Sequence, residues 1–240
     1  MKAASRRQPQ LELLAAILGI VSFIAITLGC VWSSLGYVGP AGEPYSALNH
    51  WISELGQEGV AARADWFNRG LMVGGVAFVG FVLGLARTSP SQLRWAYAPI
   101  GVVAGIGGFF VGVFPMNHAD QHVVAASTFF NLGWIFVALA SIAIVRNREP
   151  RHPAWLAIVG VASVAAFIAF LVSLRTDEFS RQRRASSGPI TDRPDVWIAP
   201  ILEWATLISI MVWVLLASIA WLRELRREAA GGSAGAGASA

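Results

Sequence analysis

The sequence is poor in charged residues and in cysteine. Only 13% of its 240 residues are charged, whereas 55% are hydrophobic, and the mean hydropathy is +0.58. Because soluble globular domains carry about 25% charged residues, this composition excludes that class. The single cysteine, Cys30, excludes an internal disulfide framework. The composition is that of an integral membrane protein.

Six apolar runs are long enough to cross a membrane as helices. A helix needs about 20 residues to span ~30 Å of hydrocarbon, and isolated strands cannot satisfy their backbone groups in lipid. The runs cover residues 11–32, 67–86, 95–114, 122–145, 153–174 and 198–222. We therefore predict an all-α polytopic protein with a six-helix transmembrane domain, residues 11–222. A cytoplasmic tail, residues 1–10, and a flexible cytoplasmic tail, residues 223–240, should flank it.

The basic residues predict an orientation rather than a nucleic-acid partner. The net charge is +4 and the pI is near 10, but the positive charges lie in short segments beside the apolar runs, where they set topology. With the N-terminus inside, the cytoplasmic segments hold the majority of these residues: Lys2, Arg6, Arg7, Arg87, Arg94, Arg146, Arg148, Arg151, Arg223, Arg226 and Arg227. We expect a multi-pass protein of the cell membrane with both termini cytoplasmic. Its partner would be the lipid bilayer, with no nucleic acid involved.

The segment between the first two runs predicts a short amphipathic helix on the outer membrane surface. Pro44 suits the first helical position, and Gly56 suits a helix end. An apolar stripe is formed by Tyr45, Leu48, Ile52 and Leu55, and the opposite side by Ser46, Asn49, His50, Ser53 and Glu54. His50 and Glu54 are four residues apart, so we expect them to pair.

A polar loop between the third and fourth runs holds two of the four histidines. Pro115 should end the incoming helix, and His118, Asp120 and His122 follow it. Glu203, just inside the sixth run, should face the bundle because a charge within the membrane is costly.

The predicted topology brings these residues, with His50 and Glu54, to the outer end of the bundle. Imidazoles and carboxylates together can bind zinc or act as general acid and base. The candidate catalytic residues are His122, Asp120, Glu54 and Ser53, and the candidate metal ligands are His118, His122, His50 and Glu203. The alternative is that polar residues simply gather where a bundle meets water.

Two further patterns each allow two interpretations. Glycines recur at steps of three and four in runs two and three, at Gly70, Gly74, Gly80 and Gly84 and at Gly101, Gly105, Gly108 and Gly112. They indicate either close helix packing, which we favour, or a passage for a substrate. The mixed-charge loop of residues 175–195 is either a solvated loop or a lid whose Arg181, Arg183 and Arg184 contact lipid phosphates.

Short motifs resemble those of a known family. They are Ser53-Glu54-Leu55-Gly56, Trp66-Phe67-Asn68, Gly112-Val113-Phe114-Pro115, and His122 at the start of the fourth helix. Over about residues 11–222 the chain resembles the domain-of-unknown-function 998 family of bacterial and archaeal membrane proteins, and more distantly the eukaryotic DRAM-like membrane proteins. The first resemblance implies six or so transmembrane helices and no established activity. It directs attention to Ser53, Glu54, Pro115 and His122, whereas His50, His118 and Glu203 lie outside these motifs.

Three functions remain open on the sequence alone. The first is an accessory, sensing or binding membrane protein. The second is a membrane enzyme, zinc-dependent or not, that acts on a lipid or isoprenoid headgroup. The third and least favoured is a small transporter, because no predicted helix interior carries a charged pair and no inverted repeat is evident.

Overall fold

A computed structural model describes residues 9–148, 150–178 and 190–237. Six α-helices within these ranges are long and apolar enough to cross a membrane. They are α1 (Pro9–Ser34), α2 (Ala64–Thr88), α3 (Arg94–Val113), α4 (Ala119–Asn147), α5 (Leu156–Thr176) and α6 (Ile198–Gly237), with a short 3₁₀ helix, η1 (Ile52–Gly56), between α1 and α2. The predicted six-helix membrane fold is confirmed.

The six helices form a closed ring in chain order. Each packs against the next helix along the chain, and α1 packs against α6. We call the end with the α1–α2, α3–α4 and α5–α6 connections the capped end, because the α1–α2 connection folds over it. The opposite end, where α1 begins and α6 ends, is the terminal end. The capped end is the one that the sequence predicts to face outward.

The helix boundaries lie within three residues of the predicted runs everywhere except at the end of α6. α4 begins at Ala119, one turn before His122, after α3 has ended at Val113 ahead of Pro115. α6 continues without a break past Leu222 to Gly237, a length of 40 residues. The segment from Arg223 that we predicted to be flexible is therefore helical as far as Gly237.

The predicted amphipathic surface helix between α1 and α2 is replaced by turns and the five residues of η1. Polar side chains satisfy the backbone locally: Ser46 Oγ accepts from Leu48 N at 3.2 Å, and the His50 imidazole contacts the main chain of Ser46. Such bonds compete with helix formation. His50 and Glu54, which we predicted to lie on the wet side, are only 1% and 3% exposed. The segment is thus a folded cap and does not divide into two faces at an interface.

The glycines of α2 allow close approach on two sides. A Cβ on Gly70 would lie 2.6 Å from the carbonyl oxygen of Ala25 in α1, and a Cβ on Gly75 would lie 2.8 Å from the backbone nitrogen of Phe109 in α3. Both distances are too short for a real Cβ. Close helix packing is therefore confirmed, but the four predicted glycines of α2 all face α1, whereas Gly105 and Gly112 of α3 face α2.

The terminal half of the ring is filled by aromatic side chains and closed by an ion cluster. Phe136 packs edge-on against Phe78, at 5.5 Å, and against Trp213, at 5.8 Å. At the end of the bundle, Arg151 from the α4–α5 connection lies 3.2 Å from Glu12 of α1 and 3.4 Å from Glu228 of α6. This cluster joins the first and last helices of the ring.

Candidate functional site

The helix η1 is fastened inside the rim of the capped end by three helices. Ser33 Oγ of α1 donates to Leu55 O at 2.6 Å, Ile52 N donates to Glu203 Oε2 of α6 at 2.8 Å, and Asn68 Nδ2 of α2 donates to Gly56 O at 3.1 Å. Ile52 and Leu55 are buried against the ring. The capped end therefore has a protein roof whose backbone polar groups are bound by the helices beneath it.

A buried ion pair ties this roof to the α5–α6 connection. The two terminal nitrogens of Arg193 donate to the two carboxylate oxygens of Glu54, at 3.2 and 3.0 Å. Glu54 also accepts from Tyr37 Oη at 2.9 Å and from Trp51 N at 2.8 Å. Burial, and then the negative charge of Glu54, raises the pKa of Tyr37, so its hydroxyl remains a donor. All acceptor positions of Glu54 are engaged in holding the roof.

His50 faces Glu43 instead of the predicted partner Glu54. His50 Nε2 lies 3.6 Å from Glu43 Oε1, which is 3.5 Å from Arg193 Nη2. Burial lowers the pKa of His50, although the charge of Glu54 opposes the change. Burial works against ionisation of Glu43, but backbone N–H groups of Glu43 and Ala41 and the charge of Arg193 outweigh it and lower its pKa. This group is a neutral imidazole beside an ion cluster.

Directly beneath η1 lies a small pocket of about 80 Å³. Its wall is apolar and comes from α1, α2, α3, α4 and α6, with Ile26, Gly108, Phe129, Leu207 and Met211 among its residues. Because drug-sized ligands occupy roughly 300–1,000 Å³, the pocket itself has room only for a small group or the end of a chain. Gly74, Gly75, Gly105 and Gly108 line it, so the glycines that allow close packing also leave this space open.

The polar groups of the pocket are concentrated at its capped end. Among the described residues that line it, only Ser53 of η1, His122 in the first turns of α4, and Glu203 in the first turns of α6 carry polar side chains. His122 Nδ1 lies 2.8 Å from Phe114 O. A carbonyl oxygen can only accept, so Nδ1 carries the proton and Nε2 of the neutral ring is an acceptor.

A second groove meets the pocket from the side. Ile26, Leu207 and Met211 line the pocket and also a groove of about 450 Å³ between α1 and α6. Exposed side chains such as Val31 and Ile208 lie along this groove. It therefore opens on the apolar outer surface of the ring, where hydrocarbon would lie in a membrane.

The structure divides the predicted site residues among three places. Ser53, His122 and Glu203 line the pocket, His50 and Glu54 belong to the roof, and His118 and Asp120 are exposed where α4 begins. Within the described ranges, no three His, Cys, Asp or Glu side chains are grouped to hold a metal ion. The four predicted zinc ligands are therefore not assembled into one ligand set.

Sequence reasoning missed the residues that hold the roof. Arg193 lies in the mixed-charge segment that the sequence allows to be either a solvated loop or a lid, and no sequence pattern singles out Glu43 or Tyr37. The available signal was position, because Arg193 lies only a few residues before α6 and must therefore be near the rim of the bundle. The other arginines predicted to form a lid, Arg181, Arg183 and Arg184, lie outside the described residues.

Comparison with known proteins gives one family. A family model described as "Protein of unknown function (DUF998)" matches residues 25–220. No curated protein and no solved structure matches the chain significantly. The matched range includes the roof and all described residues that line the pocket.

Proposed function

The chain belongs to the DUF998 family of proteins of unknown function, and we propose that it binds an amphipathic, lipid-like molecule within the bundle. The apolar chain of the ligand lies in the groove between α1 and α6, and the part next to its head enters the pocket beneath η1. Its polar head lies at the capped end beside Ser53, His122 and Glu203. The protein acts in the cell membrane with its capped end outward and both termini cytoplasmic, as a binding, sensing or accessory component.

The observation that carries this proposal is the polarity of the pocket. Its wall is apolar, and its polar side chains stand together at one end. A ligand with the same division, an apolar chain and a polar head, matches both parts of the pocket without leaving a buried polar group unpaired. A wholly polar metabolite would lose its hydration against the apolar wall.

The lateral groove supports a ligand that comes from the bilayer. The side chains of Ile26, Leu207 and Met211 line both the groove and the pocket. A rearrangement of these flexible side chains would open a route between α1 and α6. An amphiphile could then enter with its chain already in hydrocarbon.

An enzyme acting on the head of this ligand is the second candidate. The specific observation in its favour is that the acceptor Nε2 of His122 and the carboxylate of Glu203 belong to the same end of one pocket. In that case His122 is the general base and Ser53 a positioning hydroxyl. The mass of the ligand recovered after incubation with wild-type protein and with His122→Ala distinguishes the enzyme, which alters it, from the binding protein.

The pocket can be tested with a photoactivatable amphiphile. A derivative of dodecanol with a diazirine in its chain is incubated with the purified protein in lipid nanodiscs, irradiated, and its adducts are mapped by peptide mass spectrometry. We expect adducts on Leu207, Met211 and Phe129. A Cβ at Gly108 would contact Phe129 at 3.7 Å, an ordinary distance, so Gly108→Leu should fold and fill the pocket. It should reduce these adducts more than tenfold.

The matched control is Ala96→Leu, which enlarges an exposed residue of the same helix. It should leave the pocket adducts unchanged. Adducts confined to exposed residues of the ring, or pocket adducts equally strong in Gly108→Leu, would contradict the proposed function.

A further inference from the structure

The polar end of the pocket also indicates which head group the ligand carries; this inference rests on the proposed function. Three polar side chains face that end, those of Ser53, His122 and Glu203. Among the described lining residues there is neither an arginine nor a lysine. The hydrogen-bonding capacity of these three groups therefore decides what can bind beside them.

Glu203 contributes a buried carboxyl group. It is 7% exposed, and its Oε2 accepts a hydrogen bond of 2.8 Å from Ile52 N. Within the described part of the chain it forms no ion pair. An acidic group placed in a pocket without a cation favours a ligand that donates a hydrogen bond to it or brings a positive charge to it.

The nearest described cation of the roof is not available to the pocket. Arg193 binds both oxygens of Glu54, lies 3.5 Å from Glu43 Oε1, and donates to the carbonyl oxygens of Asn49 and Ile190. Its positive charge is balanced by two carboxylates. An anionic head would have to break this network to gain a cationic partner, and the buried carboxylate of Glu54 would then lose its own cation.

His122 adds an acceptor rather than a donor. Its Nδ1–H is engaged by Phe114 O at 2.8 Å, which leaves Nε2 with a lone pair. The Ser53 hydroxyl can donate or accept. Together the three groups present two acceptors and one adaptable hydroxyl, an arrangement that complements a donor.

We propose that the pocket selects amphiphiles whose head donates hydrogen bonds, an alcohol or an amine, and rejects those that carry a phosphate or a carboxylate. The head donates to Glu203 and to His122 Nε2 and accepts from Ser53. Rejection of anions follows from the absence of a cation among the described lining residues, because an anionic head would be buried there without a partner. The site thus combines attraction of donors with a desolvation cost for anions, as specific sites commonly do.

A competition experiment with matched chains tests the head group. Dodecanol, dodecylamine, dodecanoic acid and dodecyl phosphate are each titrated against the diazirine derivative of dodecanol in nanodiscs, with the pocket adducts as the readout. We expect the alcohol and the amine to compete at least tenfold more strongly than the acid and the phosphate. The ratio between alcohol and amine then identifies which of the two donors is preferred.

The role of Glu203 is tested by Glu203→Gln, which keeps the size of the side chain and removes its acidic group. Competition by the amine should weaken more than tenfold, and the phosphate should gain relative to the alcohol. The matched control is Glu58→Gln, the same change at an exposed position of the capped end, which should alter none of the four. If Glu203→Gln does not fold, His122→Ala should weaken the alcohol and the amine alike.

The outcomes separate this inference from the proposed function. Equal competition by all four compounds, or the strongest competition by the phosphate, would overturn the head-group inference while pocket binding stands. Failure of the diazirine probe to label the pocket in wild-type protein would overturn the proposed function and this inference with it.

Discussion

At the scale of single residues, the burial of His152 makes the stability of the protein depend on pH. It is buried at the terminal end, its ring centroid is 5.1 Å from that of Trp221, and its Nε2 has no hydrogen-bond partner among the described residues. Burial, and then the neighbouring charge of Arg151, lowers the pKa of His152 to about 4. The imidazole is therefore neutral in the folded protein.

We expect the free energy of unfolding to fall as the pH falls from about 6.5 to about 4. The unfolded chain takes up the proton near pH 6.5 and the folded chain only near 4, so the stability is complete above 6.5 and is lost on acidification. The loss from this group is up to about 3 kcal/mol. Unfolding at several pH values should show a weaker slope in His152→Phe. His118→Phe, an exposed control, should keep the wild-type slope; an unchanged slope in His152→Phe would contradict the assignment.

Two residues that sequence reasoning selected show how position and partner are determined separately. Glu203 was predicted to face the bundle, and it does so because an unpaired carboxylate facing lipid would be costly. Glu54 was predicted to be an available acid or ligand. Its oxygens are instead bound by Arg193, a residue 139 positions further along the chain. The cost of exposing a charge to lipid can be read from the residue and its neighbours in the sequence, whereas the partner of a buried charge cannot.

At the scale of elements, the roof is a connection held in place by another connection. The α1–α2 segment has only five residues of helix between two transmembrane helices. Its isolated bridges, Tyr37 with Ala61 and Val38 with Pro44, are short. Its order therefore depends on bonds to α1, α2 and α6 and on the pair between Glu54 and Arg193. We expect this element to be the first to open.

Arg193→Met should release the roof while the ring stays folded. The two side chains of the pair are 7% and 4% exposed, and removal of one partner from a buried pair costs on the order of 3 kcal/mol. Hydrogen exchange should rise over residues 44–56 and change little in the centre of α2. In the double variant Glu54→Gln/Arg193→Met, the loss should be smaller than the sum of the two single losses.

Arg69→Met is the control for that experiment. Arg69 and Asp65 form an ion pair with side chains 74% and 69% exposed, and such surface pairs contribute little. Equal exchange in the two variants, or exchange that rises throughout the bundle, would mean that the Glu54–Arg193 pair does not hold the roof.

At the scale of the whole molecule, the ring places the start of α1 and the end of α6 on one side. α1 and α6 are neighbours, and Arg151 joins Glu12 to Glu228 across them. The capped and terminal ends therefore differ in kind, one closed by the roof and one by an ion cluster. The distribution of basic residues predicts that the terminal end faces the cytoplasm.

Cysteine labelling tests that orientation. In a Cys30→Ser background, which removes the only native thiol, Asp65→Cys lies at the capped end and Arg227→Cys at the terminal end. A membrane-impermeant maleimide added to intact cells should label Asp65→Cys and should reach Arg227→Cys only after permeabilisation. The reverse pattern would place the pocket mouth and the polar head of its ligand on the cytoplasmic side. The Cys30→Ser chain alone should remain unlabelled.

The sequence alone determined the class of the molecule and the number of its spans. A helix that crosses hydrocarbon must be long and apolar, and both properties belong to a continuous stretch of sequence. The same reasoning from neighbouring residues located the C-terminal end of α3 just before Pro115 and placed Glu203 toward the interior. It failed for residues 44–56, where the amphipathic pattern was real but the polar side chains bonded to their own backbone and to distant residues.

Only the tertiary structure decided which polar residues act together. It assigned Glu54 and His50 to the roof, left His118 and Asp120 exposed, and brought Ser53, His122 and Glu203 to one end of an apolar pocket. The physical reason is that a pocket and an ion pair are made from segments far apart in the chain. Their geometry depends on how closely six helices approach, which here is set by glycines facing particular backbone atoms.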